Sequence, residues 1–226
     1  MCGRFVVARA TSDLLPSLLE GFPELADNFN VAPTTPVAAV RVRHGERRLD
    51  TPRWGFLPPW YPDLKKRPQP INARIETVAS SGMFRKAFAS ARCIVPAQGY
   101  YEWSETDTGK QPHFIHEPDQ ALAMAGVMTA WPDPTKPDGD PDRWVTSVAI
   151  ITRDAHVSPG EVHDRMPTCL LPASFDAWLD AGTPPDALVD ILDRDSLTVA
   201  HELTHYEVSR DVNSVRNTGE HLIDPI

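Results

Sequence analysis

Cysteine is the second residue of the chain, in Met1-Cys2-Gly3-Arg4-Phe5. Removal of the initiator methionine leaves one residue with both a free α-amine and a thiol, and that pair is a reagent for aldehydes. The amine gives an imine, and the thiol then closes a five-membered thiazolidine with the advantage of an intramolecular reaction. Such an amine titrates near ~7.7–8.0 and such a thiol near ~8.5, so both react near neutral pH. The same residue has an ordinary reading: Met1 stays, and Cys2 is a small buried apolar residue that opens a strand.

Three further segments carry groups suited to proton transfer. Asn72-Ala73-Arg74 brings an amide and a guanidinium out of a proline-rich stretch. Gly99-Tyr100-Tyr101-Glu102-Trp103 sets a carboxylate among three aromatics, where partial desolvation raises its pKa. His163-Asp164-Arg165 offers an imidazole after an expected turn at Gly160 and before a buried strand. Taken singly, Asn72 reads better as a turn cap, Glu102 as an arginine's partner and His163 as a loop histidine. The most literal motif is His201-Glu202-Leu203-Thr204-His205, which fits the H-E-x-x-H zinc pattern. That pattern binds zinc only on a helix, and the neighbours Thr198, Val199, Thr204, Tyr206 and Val208 favour a strand, which would separate the two histidines by ~13 Å at ~3.3 Å per residue. No metal and no cofactor is therefore expected.

The elements that must position these groups are legible in outline. Strands are expected at Cys2–Ala8, 36–43 and 45–54 as a hairpin, 92–96, 100–105, 113–116, 121–131, 143–153 and 203–209, with a turn at Thr108-Gly109. Helices are expected at 11–19, 81–90, 173–181 and 185–193. Residues 55–72 hold five prolines and the run Lys65-Lys66-Arg67, the mark of a packed or functional surface loop. Many short strands with a few helices make an α+β fold, one domain over 1–226 with a curved, barrel-like mixed sheet and peripheral helices. At 226 residues one core suffices. No apolar run reaches a membrane span and no signal sequence precedes the first strand, so a cytoplasmic protein with no membrane partner is expected. Cys2, Cys93 and Cys169 are odd in number and lack C-x-x-C spacing; Cys93 and Cys169 read as core thiols. Net charge is −9, yet residues 1–100 carry 14 Lys and Arg against 8 Asp and Glu, and residues 101–226 carry 8 against 23. General adhesion to nucleic acid is disfavoured, while a local anion site in the first half is permitted.

Together the blocks MCGRF, FNVAPT at 29–34, RWGFLPPW at 53–60, INARIET at 71–77, CIVPAQGYYEW at 93–103, VHDRMP at 162–167 and the closing VSRDVNSVRNTGEHLIDPI resemble the SRAP family, the SOS response-associated peptidases or abasic-site processing proteins. The resemblance runs the whole length. It implies a protein that crosslinks itself to abasic sites in single-stranded DNA through its mature N-terminal cysteine, with no metal, and acting as a monomer. It further implies that Cys2 supplies amine and thiol, that Asn72 orients the sugar, that Glu102 positions the amine and moves its protons, and that His163 protonates the sugar oxygen. Arg4 and Arg74 are implied as phosphate contacts. Asn30, Pro33, Trp60 and Tyr61 are implied as the surface that binds and stacks the strand, and Thr152 as a nearby strand residue. This chain departs from the pattern in having Gly82 where a basic residue is common, Tyr61 where a second tryptophan is common, and the insertion 132–142, which is expected to be neutral. Two other readings stand beside this one: a cysteine peptidase that uses the same Cys2 N-terminus, with self-processing at Met1 as its minimal form, and a non-covalent reader of modified or single-stranded DNA in which Cys2 is structural. An abasic-site lyase side activity accompanies the crosslinking reading.

Overall fold

The computed structural model describes residues 2–8, 11, 17–20, 25–64 and 69–226. Met1, most of the helix expected at 11–19 and the run Lys65-Lys66-Arg67 lie outside the described residues. The strands are β1 (Phe5–Val7), β2 (Asn28–Val31), β3 (Ala39–Arg43), β4 (Glu46–Asp50), β5 (Arg53–Trp54), β6 (Asn72–Arg74), β7 (Arg92–Ala97), β8 (Gly99–Thr106), β9 (Gly109–His116), β10 (Leu122–Pro132), β11 (Trp144–Asp154), β12 (Arg165–Pro167) and β13 (Thr204–Glu207). The described α-helices are α1 (Ile75–Val78), α2 (Arg85–Ser90), α3 (Val157–Val162), α4 (Phe175–Leu179) and α5 (Pro185–Glu202).

Local chemistry explains the hairpins. Arg43 pairs with Glu46 across His44-Gly45, both at positive φ (54° and 81°), the two-residue turn whose twist matches the flanking strands. Alternation of side chains then decides the layers. The smaller sheet has the order β13-β9-β8-β1-β2, and the larger runs β12-β11-β10-β7-β3-β4 with β5 and β6 added parallel to β11. Phe5, Tyr100 and Ile115 face inward from the smaller sheet against Met124, Val148 and Ile150 of the larger, forming the central core that also contains Cys2. The opposite face of the larger sheet, with Ala125, Ala149 and Ile151, is covered by Phe88, Trp178, Leu188 and Leu192 of the helices. The outer face of the smaller sheet, with Tyr101 and Phe114, is closed by Val208, Val212 and Leu222. Burial of each such large apolar side chain contributes ~1.5–3 kcal/mol. The result is the expected α+β fold, mixed sheets with a half-barrel curl and a few helices. Cys93 and Cys169 are fully buried core thiols.

Two expectations are corrected. The helix expected at 185–193 continues to Glu202, so that Thr198 and Val199 are helical against their propensity. Tertiary contacts outweigh it: Asp195 and Ser196 are buried and accept hydrogen bonds from the main-chain N–H groups of Leu171 and Cys169, both at 3.0 Å. Gly160 likewise lies within a short helix rather than a turn. Among the described residues no helix is long and apolar enough to cross a membrane.

Candidate active site

Antiparallel pairing of β1 with β8 sets Phe5 opposite Tyr100, and the Arg4 carbonyl accepts the Tyr101 N–H at 2.9 Å. Continued by two residues, this register sets Gly3 opposite Glu102, and Cys2 follows one residue further, close enough for the Glu102 charge to act on its thiol. On the other flank, Ile150 N–H donates to the Ile71 carbonyl at 3.0 Å, and β6 pairs parallel to β11 with Asn72 opposite Ile150 and Arg74 opposite Thr152. The proline-rich loop thus returns to the sheet and delivers Asn72 to the N-terminus. Asn72 Nδ2 donates to the Cys2 carbonyl at 2.9 Å. His163 follows α3, and its N–H closes that helix on the Pro159 carbonyl at 3.1 Å.

Electrostatics join Cys2, Glu102 and His163. Burial raises the Cys2 thiol well above its usual value, the Glu102 carboxylate pushes the same way, and the chain's amino terminus opposes both. Burial also raises the Glu102 carboxyl, and the amino terminus and His163 pull it back. His163 Nδ1 lies 3.0 Å from the Arg165 N–H, which donates to it, and 2.8 Å from Asp164 Oδ1, which requires a proton on that same nitrogen. The first contact uses Nδ1 as an acceptor and the second uses it as a donor, so the ring has a partner whether or not that nitrogen carries the proton.

The remaining residues implied by the resemblance are placed unequally. The Arg74 side chain is exposed and makes no hydrogen bond or ion pair among the described residues. Trp60 is 57% exposed. Tyr61 instead packs with Leu57 and Trp131, its carbonyl accepting the Trp131 indole N–H at 2.7 Å, so it offers no open ring face for stacking. Arg4 is engaged within the fold, donating to Asn30 Oδ1 at 2.7 Å and to the Val212 carbonyl at 2.9 Å. Asn30 is buried and donates to the carbonyls of Ser214 (3.0 Å) and Asn217 (2.9 Å), which ties β2 to the C-terminal segment. Pro33 is partly buried ahead of Thr34, which has φ 73°. Thr152 is buried, and its carbonyl accepts Arg165 Nη2 at 2.8 Å.

Sequence reasoning overlooked two residues here. Arg165 also donates to Glu76 at 2.8 Å and to Asp154, tying the strand after His163 to the helix after Asn72. Tyr100 is fully buried on the same face of β8 as Glu102, and its hydroxyl has no hydrogen-bond partner among the described residues. The two-residue period of a strand, applied from Glu102, is the signal that finds it. The H-E-x-x-H motif is split, with His201 and Glu202 ending α5 and His205 on β13. No group of three His, Cys, Asp or Glu that could hold a metal ion occurs among the described residues.

The SOS response associated peptidase (SRAP) family model matches residues 1–215. The chain is 35% identical to the abasic site processing protein YoaM of Bacillus subtilis, over 99% of this chain and 98% of that one. It is 31% identical to the abasic site processing protein YedK of Escherichia coli over the whole of both chains. In fold it is similar to the crystal structure of a Bacteroides thetaiotaomicron protein, with TM-score 0.79 and 20% identity over the whole of both chains.

Proposed function

The chain belongs to the SRAP family, and on that premise we propose that it captures abasic sites in single-stranded DNA as a thiazolidine at Cys2, within one domain spanning 1–226. The names of the B. subtilis and E. coli relatives support abasic-site processing. The observation that carries the finer reading is the hydrogen bond from Asn72 to the Cys2 carbonyl at 2.9 Å, which holds the start of the chain beside a carboxyl raised by burial.

The raised thiol sets the order of events. A protonated thiol is a poor first nucleophile, so once Met1 is gone the amine adds first to C1′ of the ring-opened aldehyde. Glu102 takes the proton released by the nitrogen and returns it to the carbinolamine oxygen, which leaves as water. The thiol then adds to the same carbon while its proton passes to the imine nitrogen. One C–N and one C–S bond form and one water departs. His163 donates a proton to the sugar ring oxygen, favouring the open aldehyde. Arg74 holds a phosphate and Trp60 stacks on a base, contacts that ignore sequence. Abasic-site lyase chemistry is a β-elimination from the same imine.

The test is intact-protein mass spectrometry after mixing with an abasic oligonucleotide. A heat-stable adduct at the sum of the two masses less one water, formed only by protein lacking Met1, is expected. Cys2→Ala keeps the amine and should yield only an imine that borohydride traps. A heat-stable adduct on protein verified to retain Met1 would overturn the aminothiol mechanism.

A further inference from the structure

The face of the smaller sheet that carries Glu102 also carries a continuous polar chain. His113 on β9 stands opposite Glu102 in the β8–β9 ladder. Its Nε2 lies 2.9 Å from Ser104 Oγ, two residues beyond Glu102 on β8, and its Nδ1 lies 3.2 Å from Nδ1 of His205 on β13. His205 Nε2 is in turn 3.3 Å from Glu161 Oε2 on α3. With both rings neutral, one arrangement of protons satisfies all three contacts. Ser104 O–H donates to His113 Nε2, His113 Nδ1–H to His205 Nδ1, and His205 Nε2–H to the Glu161 carboxylate. Burial and the neighbouring His205 both hold the His113 pKa below its ordinary value, which keeps that ring neutral.

The chain ends on an element that has little to hold it by itself. Helix α3 has six residues, includes Pro159 and Gly160, and begins at Val157 with φ 46°, a strained conformation for a β-branched residue. It packs on α5 and β12 on one side and on β13 and β8 of the smaller sheet on the other. His163 is its C-terminal cap, two residues after Glu161.

We propose that Ser104, His113, His205 and Glu161 form a positioning relay that latches α3 to the smaller sheet and so fixes His163 against Glu102. The consequence for catalysis rests on the proposed crosslinking function, whereas the latch itself does not. The relay gives a use to His205, the one member of the H-E-x-x-H pattern that faces the site.

Glu161 is exposed, so its replacement leaves the core intact, and amide hydrogen exchange of the free protein reads the latch directly. Glu161→Ala is expected to speed exchange of the His163 amide severalfold, and Glu161→Gln, whose side-chain carbonyl accepts the same hydrogen bond, to restore it. Unchanged exchange in Glu161→Ala, or equal acceleration in both variants, would overturn the latch. In crosslinking, Glu161→Ala should slow reaction with an abasic strand about three- to tenfold, the range of one partly screened hydrogen bond to a charged group. It should add nothing on a His163→Ala background. A full further loss on that background refutes action through His163. If the wild type forms no adduct at all, the crosslinking reading fails while the exchange result still decides the latch.

Discussion

Asn72→Ala tests the geometry of the site at its narrowest point. Its Nδ2 makes the 2.9 Å bond to the Cys2 carbonyl, and its Oδ1 is buried with no partner among the described residues, leaving one acceptor for a proton of the forming linkage. One neutral hydrogen bond contributes ~0.5–1.5 kcal/mol net. Loss of the tether alone therefore slows crosslinking about two- to thirteenfold, and loss of both bonds about 5- to 150-fold, at tenfold per ~1.36 kcal/mol. We expect the larger range. Asn72→Asp keeps an acceptor but sets a carboxylate oxygen against the Cys2 carbonyl, so it should react no faster than the alanine variant. The assay is single-turnover crosslinking to an abasic oligonucleotide with protein in excess, followed by denaturing electrophoresis, with Tm measured alongside. A rate for Asn72→Ala within twofold of wild type, at unchanged Tm, would refute the role of this contact in aligning the N-terminus.

Further outcomes are expected elsewhere in the molecule. The Glu102 carboxyl is raised by burial, so the acid limb of the pH–rate profile should lie above the ordinary ~4.3 and vanish in Glu102→Gln; a limb at the ordinary value contradicts this. Because the folded pKa exceeds the unfolded one, ionised Glu102 costs stability at neutral pH, and that cost is relieved as pH falls through the folded pKa toward the unfolded value. Glu102→Gln should therefore raise Tm more at pH 7.5 than at pH 4 by calorimetry. His163→Ala should slow reaction with ring-closed abasic sites more than with a strand presenting an open-chain aldehyde, and equal defects would rule out a ring-opening role. Trp60→Ala should weaken single-strand capture about 5- to 150-fold at unchanged Tm, from ~1–3 kcal/mol per stacked base, whereas Tyr61→Ala should lower Tm; the reverse pattern would exchange their roles. In Gly99→Ala the new Cβ would lie 2.6 Å from the Ile115 carbonyl oxygen. A loss of ~1–3 kcal/mol follows, or ~2–4 °C in Tm for each kcal/mol, and an unchanged Tm would show that the β8–β9 pair yields freely.

The sequence by itself determined what short-range chemistry determines. Alternating apolar residues and the Thr108-Gly109 turn indicated a β8–β9 hairpin, although β9 starts at Gly109 rather than at the expected His113, and the aromatics around Glu102 announced a desolvated carboxyl. The resemblance carried by the ordered motif blocks implied roles for Cys2, Asn72, Glu102 and His163. Tertiary structure alone decided how the polar groups are shared. Arg4 and Asn30 read as DNA contacts, yet their hydrogen bonds go to carbonyls of Val212, Ser214 and Asn217 at the far end of the chain, pairings that no local pattern encodes. Tyr61 and Trp60 are adjacent in sequence and opposite in fate, because Trp131 buries one ring and leaves the other exposed. At 198–202 the buried contacts of Asp195 and Ser196 prolong a helix through residues whose intrinsic preference is for strand. That extension leaves His205 on β13, within reach of His113, and the reason is general: propensity contributes tenths of a kcal/mol per residue, whereas a buried polar group left without a partner costs ~1–3 kcal/mol.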